Sequence, residues 1–520
     1  MTWRTQLEKM QIRCKTITLA ILYLAVPVCL FFLLWLKLPW GVLCTALLGY
    51  ACYRLNKEVA GKYTELPVSY ANELAIAFLL VFLYLLFTGH GSFIGCEGYD
   101  IPWRSAIYQD LIHQPWPIVY EASQGALVYY LVYWLVPAGI SYLFNFEDLV
   151  SNGVLVLWTY FGLRLFLQLL LNYLQVEKKQ VILITLLFLF WSGLSVLGVT
   201  IVNMLWNQPL AKMIKWGWNV WWYTNISLDG YLTGYMVRTV FDSLANIYNQ
   251  FTPILLGLML FLFIRKSKYY ALIGLLVLPF SPFGFLGLFV IMFALFVMEF
   301  YQGVKKGNAD QVLKEVCSRE NIIAALTICP VFWLYFTCNS TSAGTLGYFS
   351  APLAAYGVKR VGMLLLYYVL QFGIYMGLIY KDTSEKKLWW IILLSLMLFP
   401  IFRLGNGCDL CFNGSIAGFY LLMILVMQYV LRAWNSKAWN GRFLIIYAFL
   451  IIGAITPLQQ MTSQLGQCIN LRIFVVRADQ VNIGDTFSKI GREEAKKDFG
   501  NFLCLDYQDK AFYKYLAKKH

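Results

Sequence analysis

Residues 90–120 read HGSFIGCEGYDIPWRSAIYQDLIHQPWPIVY and gather Glu97, Asp100, Arg104, Asp110 and two of the three histidines, His90 and His113, between two long apolar stretches. A carboxylate kept just beyond the end of a membrane span, with aromatics and an arginine close by, is expensive, and lipid solvation does not explain it. Such a carboxylate can act as a general base that takes a proton from a hydroxyl. Asp100 is the first choice for that role. Asp110 lies further along, and if 101–112 is helical the spacing is about three turns and leaves both acids on roughly one face. The plain alternative for Asp110 and Glu97 is a solvated loop acid, and for His113 a hydrated or backbone-bonded imidazole.

The elements that must hold these residues are membrane helices. Hydrophobic residues make up 60% of the 520, charged residues 13%, and mean hydropathy is +0.63, which excludes an ordinary soluble domain. The expected fold class is all-α, a polytopic protein with about 12–14 spans of roughly 20 residues each, some too short to cross unless tilted or broken. The apolar stretches are 17–37, 40–53, 70–89, 124–144, 153–174, 181–202, 251–264, 269–280, 285–300, 321–336, 361–380, 388–402, 416–431 and 443–455. Lysine and arginine cluster at 54–62, 265–268, 305–314, 381–387 and 432–442 and near the N-terminus, so those loops read as cytoplasmic. The segments 90–123, 203–250, 337–355 and 403–415 then face the other side, as does a small tail, 461–520, after a transmembrane domain of 1–460. Between 123 and 203 three apolar stretches stand where an even number is needed. Stretch 124–144, with Pro137 and Gly139, is the expected non-spanning or broken one. The first apolar stretch is as long as a span and another follows it, so it reads as an uncleaved helix, and the expected location is a bacterial inner membrane.

The net charge of +14 sits mainly in loops flanking apolar helices, which argues for lipid headgroups and topology and against nucleic acid. Of 12 cysteines, Cys96, Cys338, Cys408, Cys411, Cys468 and Cys504 fall on the outward side, where an oxidising compartment permits disulfides of open pairing. A zinc site lacks histidine support. Trp216, Trp218, Trp221, Trp222 and Tyr223 read as an interfacial belt first and sugar-stacking rings second. Walker A, G-x-G-x-x-G, H-E-x-x-H and G-x-S-x-G patterns do not occur.

The hydrophobic layout, the early acid loop and the stretch Asp100-Ile-Pro-Trp-Arg104-Ser-Ala-Ile-Tyr-Gln-Asp110 resemble the GT-C superfamily of polyprenyl-phosphate-dependent membrane glycosyltransferases. The loop is similar to D-E-x-x-Y/H-x-x-x-A of protein mannosyltransferases and aminoarabinose transferases, with Ile101 where the second acid of the pair stands. Residues 246–256 and 405–419 look similar to segments of uncharacterised bacterial members. The resemblance implies an inverting transfer of a sugar from a polyprenyl-phosphate donor to a hydroxyl of a lipid-linked glycan, lipid or protein acceptor on the extracytoplasmic face. Asp100 would be the base with Asp110 beside it, and a divalent metal is left open. The departing phosphate would need cations, for which Arg104, Arg238, Lys359, Arg360 and Arg403 are candidates, each equally explained as a headgroup anchor. His113, Asn246, Asn249, Gln250 and Asp409 are candidate polar contacts to substrate, with capping the plain alternative for the amides. Arg164, mid-stretch in LWTYFGLRLFLQLLL, is costly enough to suggest a paired or functional role, with snorkelling the alternative. Other readings are an O-antigen-type polymerase or ligase, a lipid or polysaccharide transporter, and an accessory membrane protein.

Overall fold

The computed structural model describes residues 15–59, 65–94, 101–205, 235, 237–339, 346–348, 359–404, 409–437, 439–471 and 486–519. The chain is a multi-pass membrane protein. Eight helices are long and apolar enough to cross a bilayer, or nine if one bent pair counts as a span, among the described residues. Among the described residues, several of the other expected apolar stretches fold as half-length or broken helices.

The chain begins with an antiparallel pair, α1 (Lys15–Trp35) and α2 (Leu38–Val59), followed by α3 (Ala71–Phe87). A short helix, α4 (Ile101–His113), then leads to a hairpin of β1 (Val119–Tyr120) and β2 (Gly125–Leu127) and to the ten-residue α5 (Leu135–Phe144). Stretch 124–144 thus does not cross. Its helical part is too short, and His113 before it and Asp148 after it meet at 3.1 Å. The stretch that Pro137 and Gly139 marked is one of two between 123 and 203 that form no continuous span, the other being 181–202.

The next span, α6 (Asp148–Leu174), is continuous; the one after it is not. Residues 181–202 divide into α7 (Val181–Leu189) and α8 (Ser195–Leu205), with 190–194 out of helix. In hydrocarbon, unpaired backbone groups cost several kcal/mol each, so a break persists only where protein satisfies it. Here the Leu194 N–H donates to the Leu370 carbonyl at 3.0 Å, the Gln371 amide donates to Ser195 Oγ at 2.9 Å, and Tyr84 donates to the Leu189 carbonyl at 2.7 Å.

Beyond it stands α9 (Val240–Ile264), every residue of whose 18-residue apolar window is buried. It kinks at Ile247, ahead of Pro253, which offers no N–H to the Asn249 carbonyl. Then α10 (Tyr270–Val277) and α11 (Pro282–Lys306) form a hairpin with a buried apex. Ser281 there caps α11 by accepting from Gly284 N–H at 3.0 Å and donates to Gln250 at 2.9 Å. The polar α12 (Ala309–Val316) and the span α13 (Arg319–Phe336) make the bent pair. A two-strand ladder of β3 (Leu346–Tyr348) and β4 (Phe402–Leu404) brackets α14 (Lys359–Tyr368), a π-turn at Val369–Gly373, α15 (Ile374–Ile379) and α16 (Lys386–Leu398). The chain closes with α17 (Asp409–Asn435), the long α18 (Gly441–Leu471), which runs through residue 461, and a tail holding α19 (Arg492–Asp498) and β5 (Leu503–Leu505). In α17, Gly414 lets α11 approach so closely that a Cβ on Gly287 would lie 2.3 Å from its carbonyl oxygen. That is the small-residue packing lipid-embedded helices rely on.

Ion pairs gather the basic clusters at one end of the bundle: Arg54 with Glu320 (3.3 Å), Lys266 with Glu58 (2.8 Å), Lys178 with Glu73 (3.5 Å), Arg265 with Glu385 (2.7 Å) and Arg442 with Asp382. The acid-bearing loop, the β3–β4 ladder and the tail lie at the opposite end. There β5 adds to the early hairpin in the order β1-β2-β5, and Leu36 at the α1–α2 turn pairs with Ala517. Arg164 points out of the bundle with its guanidinium 4.9 Å from the Phe78 ring centroid, a cation–π contact rather than a buried ion pair.

Gly193 in the α7–α8 break has no room for a side chain, since a Cβ would lie 2.0 Å from Gln371 Oε1 and 2.8 Å from its Cα. Gly193→Ala is expected to destabilise the protein by about 1–3 kcal/mol, as overpacking does. A lowered midpoint of thermal unfolding in detergent would show it; an unchanged midpoint would mean that the break is not pinned by this contact.

Candidate functional site

The helix that follows Asp100 is short and lies at the end of the bundle opposite the basic loops, and its two faces do different things. One face looks inward. Arg104 is buried and its Nε donates to Asn249 Oδ1 at 3.1 Å, while Tyr108 donates to the Ser151 carbonyl at 2.7 Å. These residues are four apart and so share a side of the helix. The other face carries the tail: Trp103 meets the ring of Phe499 at 5.3 Å, and Asp110 is covered by residues 486–487.

Asp110 is not a solvated loop acid. It is fully buried, and its Oδ2 accepts from the Tyr120 hydroxyl at 2.7 Å and the Phe487 N–H at 3.1 Å; Oδ1 has no hydrogen-bond partner among the described residues. Loss of water pushes its carboxyl up to about 7, against the pull of Tyr120, Phe487, His113 and Thr486 toward the ionised form. Asp110 and Arg104 therefore do not act as a pair, because helical periodicity aims them at different neighbours.

Asn249 and Gln250 sit inside the span α9 rather than in a loop before it, and both are buried. Asn249 holds Arg104, and Gln250 accepts from Ser281. Neither caps the helix. Ahead of them Arg238 pairs with Asp242 at 2.5 Å and lies 5.2 Å from the Phe412 ring centroid, and Asn246 donates to Asp242 Oδ1 at 2.9 Å. The first half of α9 is thus lined with polar side chains, Asp242, Asn246, Asn249 and Gln250, with Arg238 two residues before its start, in a segment whose neighbours are apolar. Tyr248 accepts from Trp134 Nε1 at 2.9 Å and stacks edge-on with His90 at 4.1 Å. His90 itself is bonded to Thr159 at 2.9 Å, and burial drives its imidazole down to about 3, so it is neutral. Tyr130 lies within electrostatic reach of both Arg104 and Asp409, the first residue of α17.

The other sequence-derived candidates fall apart from this group. His113 is exposed and bonds Asp148 at 3.1 Å. Arg403 lies on β4 opposite Gly347, and its Nε is buried without a hydrogen-bond partner among the described residues. Asp100, Glu97, Cys96, Cys408, Trp216, Trp218, Trp221, Trp222 and Tyr223 lie outside the described residues, as do the side chains of Lys359, Arg360 and Cys468. Among the described residues no group of three or more His, Cys, Asp or Glu is placed to hold a metal ion. Asp242 and Tyr130 were not singled out by sequence; the i, i+4 spacing of Arg238 and Asp242 is the signal that could have found the first. No family model, curated protein or solved structure matches this chain.

The burial of Asp110 sets a pH dependence. Its folded-state pKa is raised above the unfolded value, so the stability it allows is fully present below about pH 4 and is lost as pH rises through about 7. The shift bounds the loss at on the order of 4 kcal/mol. Asp110→Asn is expected to remove this fall: the protection factors for hydrogen exchange at residues 503–505, taken against the intrinsic rate at each pH, should drop between pH 5 and pH 8 in the wild type and stay level in the variant. Equal pH responses in the two proteins would contradict this.

Proposed function

We propose that this chain is an inverting membrane glycosyltransferase, working at the end of the bundle opposite the basic loops. It would use a polyprenyl-phosphate sugar as donor and a hydroxyl of a lipid-linked glycan, lipid or protein as acceptor. The observation that carries the reading is the inward turn of Arg104. Four residues after Asp100, a guanidinium is taken out of water and held on Asn249 of a central span lined with polar groups. Headgroup anchoring would leave it at the surface.

In this reading Asp100 removes the acceptor hydroxyl proton as that oxygen bonds to the anomeric carbon. The bond from that carbon to the lipid phosphate breaks on the opposite face, which inverts the centre. The phosphate leaves with negative charge that Arg104 would stabilise, with Arg238, just before α9, as the second cation. The working side would be the extracytoplasmic face of a bacterial inner membrane.

A transporter is the second reading, favoured by the α7–α8 break and the buried α10–α11 apex, since carriers commonly use interrupted helices inside the membrane. The break is sealed by Gln371 and Leu370 rather than opened onto a polar path, which keeps this reading second.

Membranes containing the protein, supplied with a panel of radiolabelled polyprenyl-phosphate sugars, separate the two. Asp100→Asn is expected to lower sugar incorporation by about 10²–10⁴-fold, and Arg104→Ala by about 10²–10³-fold, with normal insertion of both variants. Undiminished incorporation in Asp100→Asn would overturn the base assignment, and donor movement across vesicles without bond transfer would favour the carrier.

A further inference from the structure

Two cysteines stand where the tail meets the bundle. Cys338 follows the last turn of α13, Cys504 is the middle residue of β5, and both are buried. Their segments are fastened side by side. Asn339 Nδ2 donates to the Asn501 carbonyl at 2.7 Å, and Tyr335 donates to the Leu127 carbonyl at 3.2 Å. Leu127 is paired in register with Leu503, and Ala126 with Cys504 itself. Both are thiols in this structure, with Cys338 Sγ donating to the Leu334 carbonyl at 3.0 Å and Cys504 Sγ to the Leu505 carbonyl at 3.7 Å, and the two sulfurs lie close enough to interact.

The surroundings of the two thiols differ. Cys338 takes hydrogen bonds from Cys504 and from the Phe512 N–H, with the Lys510 ammonium nearby, so it is held below the usual thiol range. Cys504, as donor in that contact and desolvated, is pushed up. Neighbouring cysteines on two fastened segments are what a bridge needs, and the exchange uses the thiolate form that a free thiol reaches in water while the tail is still unseated.

We propose that Cys338 and Cys504 form a disulfide that fastens the C-terminal tail to the transmembrane bundle. The Cys338 thiolate attacks one sulfur of a small-molecule or protein disulfide, which releases its other sulfur as a thiolate and leaves a mixed disulfide. Cys504 gives up its proton and attacks the Cys338 sulfur, expelling the second thiolate. The S–S bond is formed, two electrons pass to the oxidant, and the oxidant ends as two thiols. Because both sulfurs are buried once β5 is paired, the exchange belongs to assembly, before the tail is fully seated. The bridge also fixes orientation, because it requires the tail's end of the bundle to face an oxidising compartment. It rests on the packing of the tail and stands whether or not the chain transfers sugars.

The test is a peptide map of the full-length protein. Membranes are quenched in acid, free thiols are blocked with iodoacetamide, and the protein is cut with trypsin without reduction. The expected product joins residues 320–359 to residues 498–510, two hydrogens lighter than the sum, and dithiothreitol splits it. Fragmentation should place the bridge on Cys338 and not on Cys329, which lies in the same peptide. Cys338→Ser should leave Cys504 fully alkylated, and Cys504→Ser should do the same for Cys338; either variant alone suffices if the other does not accumulate. Recovery of Cys338 and Cys504 as alkylated thiols in the wild type would overturn the proposal, as would a bridge from either to a different cysteine.

Discussion

Backbone polar groups in hydrocarbon have no water to turn to, and the architecture of this protein follows from how it meets that demand. Unbroken helices meet it internally. Where a helix stops inside the bundle, the chain supplies a partner from another element, as Leu370 does for Leu194. The π-turn at Val369–Gly373 lies opposite the α7–α8 break, so the two irregularities are one joint: each lends the other the hydrogen bonds that regular helix would have made. The buried α10–α11 apex is secured in the same way by Ser281 on Gln250. Irregular backbone within the membrane is thus confined to places where protein covers it.

The same constraint explains why α9 and α17 are central. Their apolar windows are 100% and 94% buried, against 22% and 28% for the peripheral spans α3 and α11. Only a helix shielded from lipid can carry Asp242, Asn246, Asn249 and Gln250 without paying their full desolvation against hydrocarbon. The kink at Ile247, ahead of Pro253, lies within that polar segment, two residues before the Asn249 that accepts from Arg104. Arg104 is held from the outside in, by a surface helix whose other face is covered by the tail.

The multi-pass class was legible because composition acts over whole segments, and so was the grouping of basic loops, which ion pairs gather at one end of the bundle. Sequence failed where two structures share one composition. The run 181–202 is as apolar as a span, and only Ser192-Gly193 hints that it breaks. Asn249 and Gln250 read as loop residues because their polarity outweighed the continuity of α9. Burial of Arg104 and Asp110 was not legible either, since α4 has no sharp apolar stripe and both of its faces are covered by segments remote in sequence. Three-residue strands such as β2 and β5 have no signature at all; their pairing is decided by what docks at the end of the bundle.

The bridge between Leu36 and Ala517 joins the α1–α2 turn to the tail. Lys37 N–H donates to the Leu516 carbonyl at 2.8 Å, and Lys518 N–H to the Trp35 carbonyl at 2.9 Å. Lys37 Nζ adds a bond to the Tyr515 carbonyl at 2.9 Å, across 478 positions of sequence. Loop-closure entropy grows only slowly with length, so a few backbone bonds suffice to hold so remote a contact. The turn between α1 and α2 thus takes its backbone partners from a sequence-remote clasp that the two helices alone cannot supply.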